Sequence, residues 1–145
     1  MVYVSRKEHF NAAHRLYNPD WSEEQNRAVF GPCANPNGHG HNFELIVTVK
    51  GTPDPDTGFV IDMKVLGGIV KREIIDEVDH RNLNLDVPFM QGKRASCEVF
   101  VVEIWKRLQP AIAAVSSARL HSLQLYETPK NFVEYRGEGI VKSEE

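Results

Sequence analysis

Two histidines separated by one residue, His39 and His41, are the side chains whose spacing most directly suggests chemistry. They begin an alternating apolar run, and in a strand both would point to the same side of the backbone. Three neutral imidazoles around Zn²⁺, with a fourth position open, make a catalytic site. His14 is the preferred third ligand, because in an extended segment it would share a face with Phe10 and Ala12 and end the element. Two surface histidines on a loop would show the same His-x-His spacing.

A cysteine lies six residues before His39, in a loop of glycine, proline and asparagine. Cys33 could be a metal ligand, a nucleophile or a base, and the last two roles depend on its thiolate form. A buried, unreactive thiol is the commoner state of cysteine. Loop residues on both sides argue against that state for Cys33, whereas Cys97, at a predicted helix start, fits it better.

Asp79 and His80 are adjacent at the point where a helix is predicted to end. A carboxylate that holds one ring nitrogen fixes the tautomer of the imidazole and makes the other nitrogen a better proton carrier. A histidine that interacts with the dipole at a helix C-terminus explains the pair equally well.

Glu127 continues the apolar face of Leu123 and Leu125 in a predicted strand. A carboxylate on such a face is costly unless it is paired. The edge of a pterin or guanine ring, with two adjacent N–H donors, would satisfy both oxygens. An internal arginine or lysine would satisfy them too.

Periodicity and capping residues predict the elements that position these groups. Strands are predicted at residues 2–10, 41–50, 119–127 and 132–135, and residues 59–61 are predicted to return as a short strand in a hairpin with 41–50. Helices are predicted from Ser22 to Phe30, over residues 63–78 behind an Asp62 N-cap, and from about Ser96, with Pro110 disturbing the end. The order β-β-α-α-β-β predicts an α+β fold, an antiparallel four-stranded sheet with two helices on one face.

Length and charge limit the function classes. The 145 residues predict one domain over 1–145, and a net charge of −3 without a basic run argues against a nucleic-acid partner. The first 20 residues contain no apolar signal-peptide core, and no apolar run approaches the ~18 residues that span a bilayer. Two cysteines suit a reducing compartment, so a cytoplasmic location is expected.

Five motifs in one order resemble the 6-pyruvoyl-tetrahydropterin synthase family, of the tunnelling (T-fold) class, over nearly the whole chain. They are FNAAHRLY at residues 10–17, GPCANPNGHGHNF at 31–43, DPDTGFVID at 54–62, DHRNLNLDVP at 79–88 and LYET at 125–128. The resemblance implies conversion of 7,8-dihydroneopterin triphosphate to 6-pyruvoyl-tetrahydropterin and triphosphate, in tetrahydrobiopterin biosynthesis. It also implies a Mg²⁺ requirement and a homohexamer of two stacked trimeric barrels, with active sites at subunit interfaces.

The resemblance also implies roles for individual residues. Zinc would be held by the three motif histidines, His14, His39 and His41. Cys33 would be the proton-abstracting base, the Asp79–His80 pair would complete the catalytic set, and Glu127 would anchor the pterin ring. The family commonly has two hydroxyl residues at the second helix start; here Ser96 is followed by Cys97, which puts one substrate contact in doubt.

Two other readings compete with this one. The related 6-carboxytetrahydropterin synthases use the same substrate and ligands, but their cysteine usually stands closer to HGH, with three residues between. Here five residues intervene, which resembles the pyruvoyl enzymes. A non-catalytic zinc- or pterin-binding protein of the same fold would need no base, so the joint presence of Cys33, Asp79 and His80 argues against it.

Overall fold

The computed structural model describes residues 1–139 as five strands packed against helices. The strands are β1 (Val2–His14), β2 (His39–Gly51), β3 (Arg81–Asn82), β4 (Arg119–Tyr126) and β5 (Phe132–Tyr135). The helices are α1 (Glu23–Phe30), α2 (Met63–Val70), α3 (Asp76–Val78) and α4 (Cys97–Ala113). Short 3₁₀ turns cover Gly31–Ala34 and Pro88–Met90. The predicted α+β class is confirmed, and no helix in this part of the chain is long and apolar enough to cross a membrane.

The sheet has five strands rather than the predicted four, in the order β3-β1-β2-β4-β5. β1 and β2 pair antiparallel over their full length, from Val2 opposite Gly51 to His14 opposite His39. β3 is the added strand, and it pairs parallel with β1 through Arg81 and Asn82. A two-residue strand is too short to show a periodic pattern in the sequence. It exists because Arg81 and Asn82 pair with β1 in the folded chain.

The predicted return strand at residues 59–61 is wrong. This segment belongs to a loop in which the Asp54 N–H donates to the Phe59 carbonyl at 2.9 Å and the Gly58 N–H to the Asp54 carbonyl at 2.7 Å. Phe59 is exposed, and Ile61 is buried. The edge of β2 that this segment was expected to occupy is taken by β4, which pairs with β2 from Glu44 to Lys50. A short apolar run cannot by itself distinguish a strand from a loop that packs one side chain into the core.

The predicted helix over residues 63–78 is present, with a π-helical turn (Lys71–Ile75) between α2 and α3. Asp62 caps its start by accepting a hydrogen bond from the Lys64 N–H. Ser22 and Ser96 cap α1 and α4 in the same manner, as their side-chain oxygens accept from the Gln25 and Val99 N–H groups. α4 runs through Pro110 and ends at Ala113.

One face of the sheet is buried under α2 and α4, and the other faces outward. Leu45, Val47 and Val49 on β2 are fully buried, and each such side chain stabilises the fold by about 1.5–3 kcal/mol relative to exposure. On β1, Phe10 and Ala12 are buried while the intervening Asn11 is exposed. The fold therefore places His14, at the end of this buried face, against the start of β2.

Candidate functional site

The three candidate metal ligands meet at one corner of the β1–β2 pair. His14 ends β1 directly opposite His39, and His41 follows two residues later on the same face of β2. The ring centroids are 4.6 Å apart for His14 and His39, 5.1 Å for His14 and His41, and 4.8 Å for His39 and His41. The antiparallel register thus brings three imidazoles, drawn from two strands, to one point.

His14 is the most constrained of the three. Its side chain is 1% exposed, and its Nδ1 lies 2.7 Å from the Ala95 carbonyl oxygen. A carbonyl can only accept, so Nδ1 carries the proton and Nε2 keeps its lone pair. The buried Nε2 has no hydrogen-bond partner among the described residues. An oriented imidazole with an unused nitrogen is the usual arrangement of a metal-ligating histidine.

Gly38 allows β2 to start beside His14. Its φ is +72°, and a Cβ built on it would lie 3.1 Å from the His14 carbonyl oxygen. Any other residue would be strained in this conformation and crowded against β1. Gly38 therefore has two roles: it forms the turn before β2, and it lets the start of β2 lie close to His14.

The electrostatics favour the neutral form of His14 and His39, since both pKa values are lowered. Burial lowers the pKa of His14, despite its hydrogen bond to Ala95. Burial also lowers the pKa of His39, helped by the proximity of His41. Metal binding requires the unprotonated ring. The lowered pKa values of His14 and His39, together with unpartnered buried nitrogens on His14 and His41, therefore fit a metal ion.

Glu127 joins this cluster. It follows β4 directly, and its Oε1 lies 3.1 Å from His41 Nε2 without the alignment of a hydrogen bond. One ligand atom from each of His14, His39, His41 and Glu127 can be chosen so that all four lie within 4.8 Å of one another. The sequence places Glu127 on an inward face, but its proximity to His41 follows from the β2–β4 register. Together the four residues form a group that could hold a metal, and we call them the histidine cluster with Glu127.

The partner of the other Glu127 oxygen is Cys97, which sequence reasoning assigned no function. Cys97 Sγ donates to Glu127 Oε2 at 2.8 Å. Burial and the neighbouring carboxylate raise the pKa of the thiol, so it stays protonated and can act as the donor. The signal for this contact was present in the sequence, since Cys97 stands where the family commonly has a hydroxyl residue.

Ser96, the predicted substrate contact beside Cys97, caps α4. Its Oγ accepts a hydrogen bond from the Val99 N–H at 3.3 Å. A hydroxyl that accepts from the helix still has its own proton to donate. Ser96 directly follows Ala95, whose carbonyl orients His14. The start of α4 therefore places the Ser96 hydroxyl near the cluster.

Asp79 and His80 form a hydrogen-bonded pair at the end of α3. Asp79 Oδ1 accepts from the Asn11 N–H at 3.0 Å and lies 3.0 Å from His80 Nδ1. The His80 N–H donates to the Asn11 carbonyl at 2.6 Å, and these contacts hold His80 at a φ of 60°. A non-glycine residue with positive φ is uncommon and marks a constrained position. The bond from Asn11 lowers the pKa of Asp79, which favours the ionised carboxylate.

This pair is not part of the histidine cluster. His80 lines a groove of about 470 Å³ with Asn11, Asn42 and Arg81, and His41 of the cluster lines the same groove. Asn11 and Asn42 are exposed and alternate with buried residues of β1 and β2, so they open the groove to the outer face of the sheet. The pair is therefore separate from the four clustered residues, but it shares a groove with one of them, His41.

Cys33 lies in the 3₁₀ turn Gly31–Ala34, which is fastened to the chain that leaves β1. Its carbonyl accepts from the Leu16 N–H at 2.8 Å, and the Ala34 carbonyl accepts from Arg15 Nε at 2.9 Å. The thiol is partly exposed and reduced. Cys33 is not a member of the cluster around the histidines.

Comparisons with known proteins agree with this geometry. The family described as 6-pyruvoyl tetrahydropterin synthase matches residues 3–138. The 6-pyruvoyl tetrahydrobiopterin synthase of Homo sapiens is 42% identical over 135 residues, which cover 93% of this chain and 91% of that protein. A 6-carboxy-5,6,7,8-tetrahydropterin synthase of Rickettsia conorii is 24% identical over 149 residues, covering 92% and 99%.

The fold agrees as well. The solved structure of Caenorhabditis elegans 6-pyruvoyl tetrahydropterin synthase superposes with a TM-score of 0.85 at 36% identity, covering 94% of this chain and 96% of that one. The chain belongs to the 6-pyruvoyl tetrahydropterin synthase family.

Proposed function

We propose that this chain is a lyase that converts 7,8-dihydroneopterin triphosphate to 6-pyruvoyl-tetrahydropterin and triphosphate, in tetrahydrobiopterin biosynthesis. The observation that carries the proposal is the convergence of three histidines, with buried unpartnered nitrogens on two of them, in a chain 42% identical to a relative of that name. The reaction moves hydrogen from the side chain of the substrate to its ring, so it needs no external reductant.

His14, His39 and His41 would hold one Zn²⁺ per subunit. When bound, Zn²⁺ supplies Lewis acidity that polarises the side-chain oxygens of the substrate and makes the neighbouring C–H groups more acidic. The protein contributes a corner of two strands that is already formed, with His14 oriented by the Ala95 carbonyl.

Cys33 would act as the base that removes the substrate proton. Its position outside the histidine cluster supports a role other than ligand. His80, oriented by Asp79 through Nδ1, would relay protons at its free Nε2. Triphosphate would then leave by elimination. Mg²⁺ would be required for activity, because its charge would act on the triphosphate.

Glu127 and Ser96 would bind the pterin. A carboxylate can accept two hydrogen bonds from the amidine-like edge of the ring. The Ser96 hydroxyl, at the start of α4, would add a polar contact beside it. The thiol of Cys97 already holds one Glu127 oxygen, so the pterin would have to share or displace that contact.

The single domain over residues 1–145 would assemble as a homohexamer, a dimer of trimers in which the sheets join into barrels. The exposure of the Asp79–His80 pair supports this, since a neighbouring subunit would cover it. Both cysteines are free, which suits a cytoplasmic protein.

The test is product analysis with purified, zinc-loaded protein, 7,8-dihydroneopterin triphosphate and Mg²⁺. We expect triphosphate and 6-pyruvoyl-tetrahydropterin in equal amounts. Release of acetaldehyde with a 6-carboxy product would show the carboxy-type reaction instead. Absence of turnover by the loaded protein would leave a binding protein of the same fold.

A further inference from the structure

We propose that Glu127 is a fourth ligand of the metal as long as no pterin occupies the site, and that Cys97 is the positioning residue that holds it there. The inference rests on the metal site of the proposed function. It gives Glu127 a second role besides pterin binding.

The distance between Glu127 and His41 carries the proposal. Ligand atoms about 2.0–2.2 Å from a tetrahedral Zn²⁺ lie about 3.3–3.6 Å from each other. Glu127 Oε1 and His41 Nε2 are 3.1 Å apart, yet they do not form a hydrogen bond. Two atoms at this separation without a hydrogen bond between them are spaced as co-ligands of one metal ion would be.

The surroundings of the carboxylate support the same conclusion. Glu127 is largely buried, with 29% of its side chain exposed, and no Lys or Arg nitrogen of residues 1–139 lies within 4.0 Å of it. Its neighbours in the cluster are three imidazoles. A partly buried carboxylate without a cationic side chain is costly, and a divalent cation would offset that cost.

The two oxygens of Glu127 have separate partners. Oε2 accepts from Cys97 Sγ at 2.8 Å, which leaves Oε1 directed to the histidines. A hydrogen-bond donor behind a ligating carboxylate is a common way to fix its orientation. Cys97 would therefore act on the metal through Glu127, without contacting it.

The consequence is that Glu127 would exchange its contact with the metal for a contact with the pterin. A site with four protein ligands is closed, whereas a catalytic site keeps one position open. Pterin binding to Glu127 would remove the fourth ligand and open the metal to the side chain of the substrate. Metal reactivity would then be restricted to the moment when a pterin is bound.

The experiment measures metal binding rather than turnover. Metal-free wild-type protein and the variant Glu127→Gln are titrated with Zn²⁺ in competition with a chromophoric chelator, and with Co²⁺ while the visible spectrum is recorded. The matched control is Glu44→Gln, a carboxylate on the outer face of β2 that pairs with Lys7. We expect Glu127→Gln to weaken Zn²⁺ binding by about 100-fold, at the upper end of losses seen for supporting partners of ligands, and to change the Co²⁺ spectrum. Glu44→Gln should match wild type in both.

Variants of Cys97 provide a second measurement that leaves all four ligands in place. Cys97→Ser keeps a donor to Glu127 and should retain Zn²⁺ affinity, whereas the similarly sized Cys97→Val should weaken it by about 10-fold. Wild-type affinity and spectrum in Glu127→Gln would overturn the inference while leaving the three-histidine site intact. Failure of wild-type protein to bind Zn²⁺ at all would overturn both the inference and the metal of the proposed function.

Discussion

The histidine cluster and the Asp79–His80 pair are built in opposite ways. His14 is 1% exposed and sits at the junction of two full-length strands, with its tautomer set by the Ala95 carbonyl. The His80 side chain is 75% exposed, and its backbone is held at positive φ by contacts with Asn11. The cluster is therefore anchored by a buried histidine at the end of β1, whereas His80 is displayed at the surface.

The difference separates two requirements of the proposed chemistry. A metal site needs several ligands at fixed distances, which the β1–β2 register provides inside one chain. A proton relay must reach a substrate and then be shielded from water, and the exposed groove around His80 provides no such shield by itself. We infer that the pair serves a site completed by another copy of the chain. The predictions below test each side of this comparison, from the largest expected effect to the smallest.

Removing a metal ligand should cause the largest loss. His41→Ala is expected to reduce both bound zinc and turnover, the latter by about 1000-fold or more, because a bound metal supplies several kcal/mol of stabilisation. Metal analysis and a turnover assay measure the two effects. His9→Ala, on the outer part of β1, is the control and should keep both. Full zinc content in His41→Ala would refute the ligand assignment.

Removing the proposed base should separate chemistry from metal binding. Cys33→Ala is expected to lower turnover by about 10²–10⁴-fold, the usual contribution of a general base, while zinc content stays at the wild-type level. Because the Cys33 side chain is partly exposed, we expect its truncation to have little effect on stability. Zinc loss in this variant would place Cys33 among the ligands instead.

The entry to β2 should be sensitive to a single methyl group. Gly38→Ala would place Cβ 3.1 Å from the His14 carbonyl oxygen in a left-handed conformation. Gly58→Ala is the matched control, because Gly58 has a φ of +77° but no atom within 4 Å of the added Cβ. Each change should lower the free energy of unfolding by about 1–2 kcal/mol through backbone strain. Only Gly38→Ala should also weaken zinc binding, and equal zinc affinity in the two variants would contradict the role of Gly38.

The smallest effect is expected at Asp79. Folding lowers the pKa of its carboxyl group, so the stabilisation is present above the pKa of the unfolded chain and is lost as the pH falls through the lower, folded value. Asp79→Asn in metal-free protein should lower the free energy of unfolding at pH 7 by less than about 1 kcal/mol, because 36% of the side chain is in solvent. Urea unfolding should show this difference shrinking toward pH 3; a constant difference would show that the charge is not the cause.

The part of the site that could be predicted from sequence is the part that depends on local geometry. The two-residue spacing of His39 and His41 fixes their common face, and the motif histidine His14 ends β1 as expected. Asp79 and His80 fall at the end of a helix whose cap, Asp62, was identifiable. These features are confirmed because the period of a strand or the cap of a helix lies within a few residues.

The remaining features depend on which distant segments pair. The two-residue strand β3 and the absence of a strand at 59–61 follow from competition for sheet edges. The contacts of Glu127 with His41 and Cys97 join three elements far apart in the sequence. No local pattern encodes these distances, although an inward carboxylate and a cysteine in a hydroxyl position were visible clues.

Mixed oligomers test most directly whether the site is divided between copies of the chain. Cys33→Ala and His80→Ala subunits, carrying different affinity tags, are co-expressed, and the mixed assemblies are purified through both tags. If Cys33 and His80 of one site come from different chains, random pairing should restore about a quarter of wild-type turnover, although each parent is inactive. Mixed assemblies no more active than the two parents would show that one chain supplies both residues, and would contradict the account.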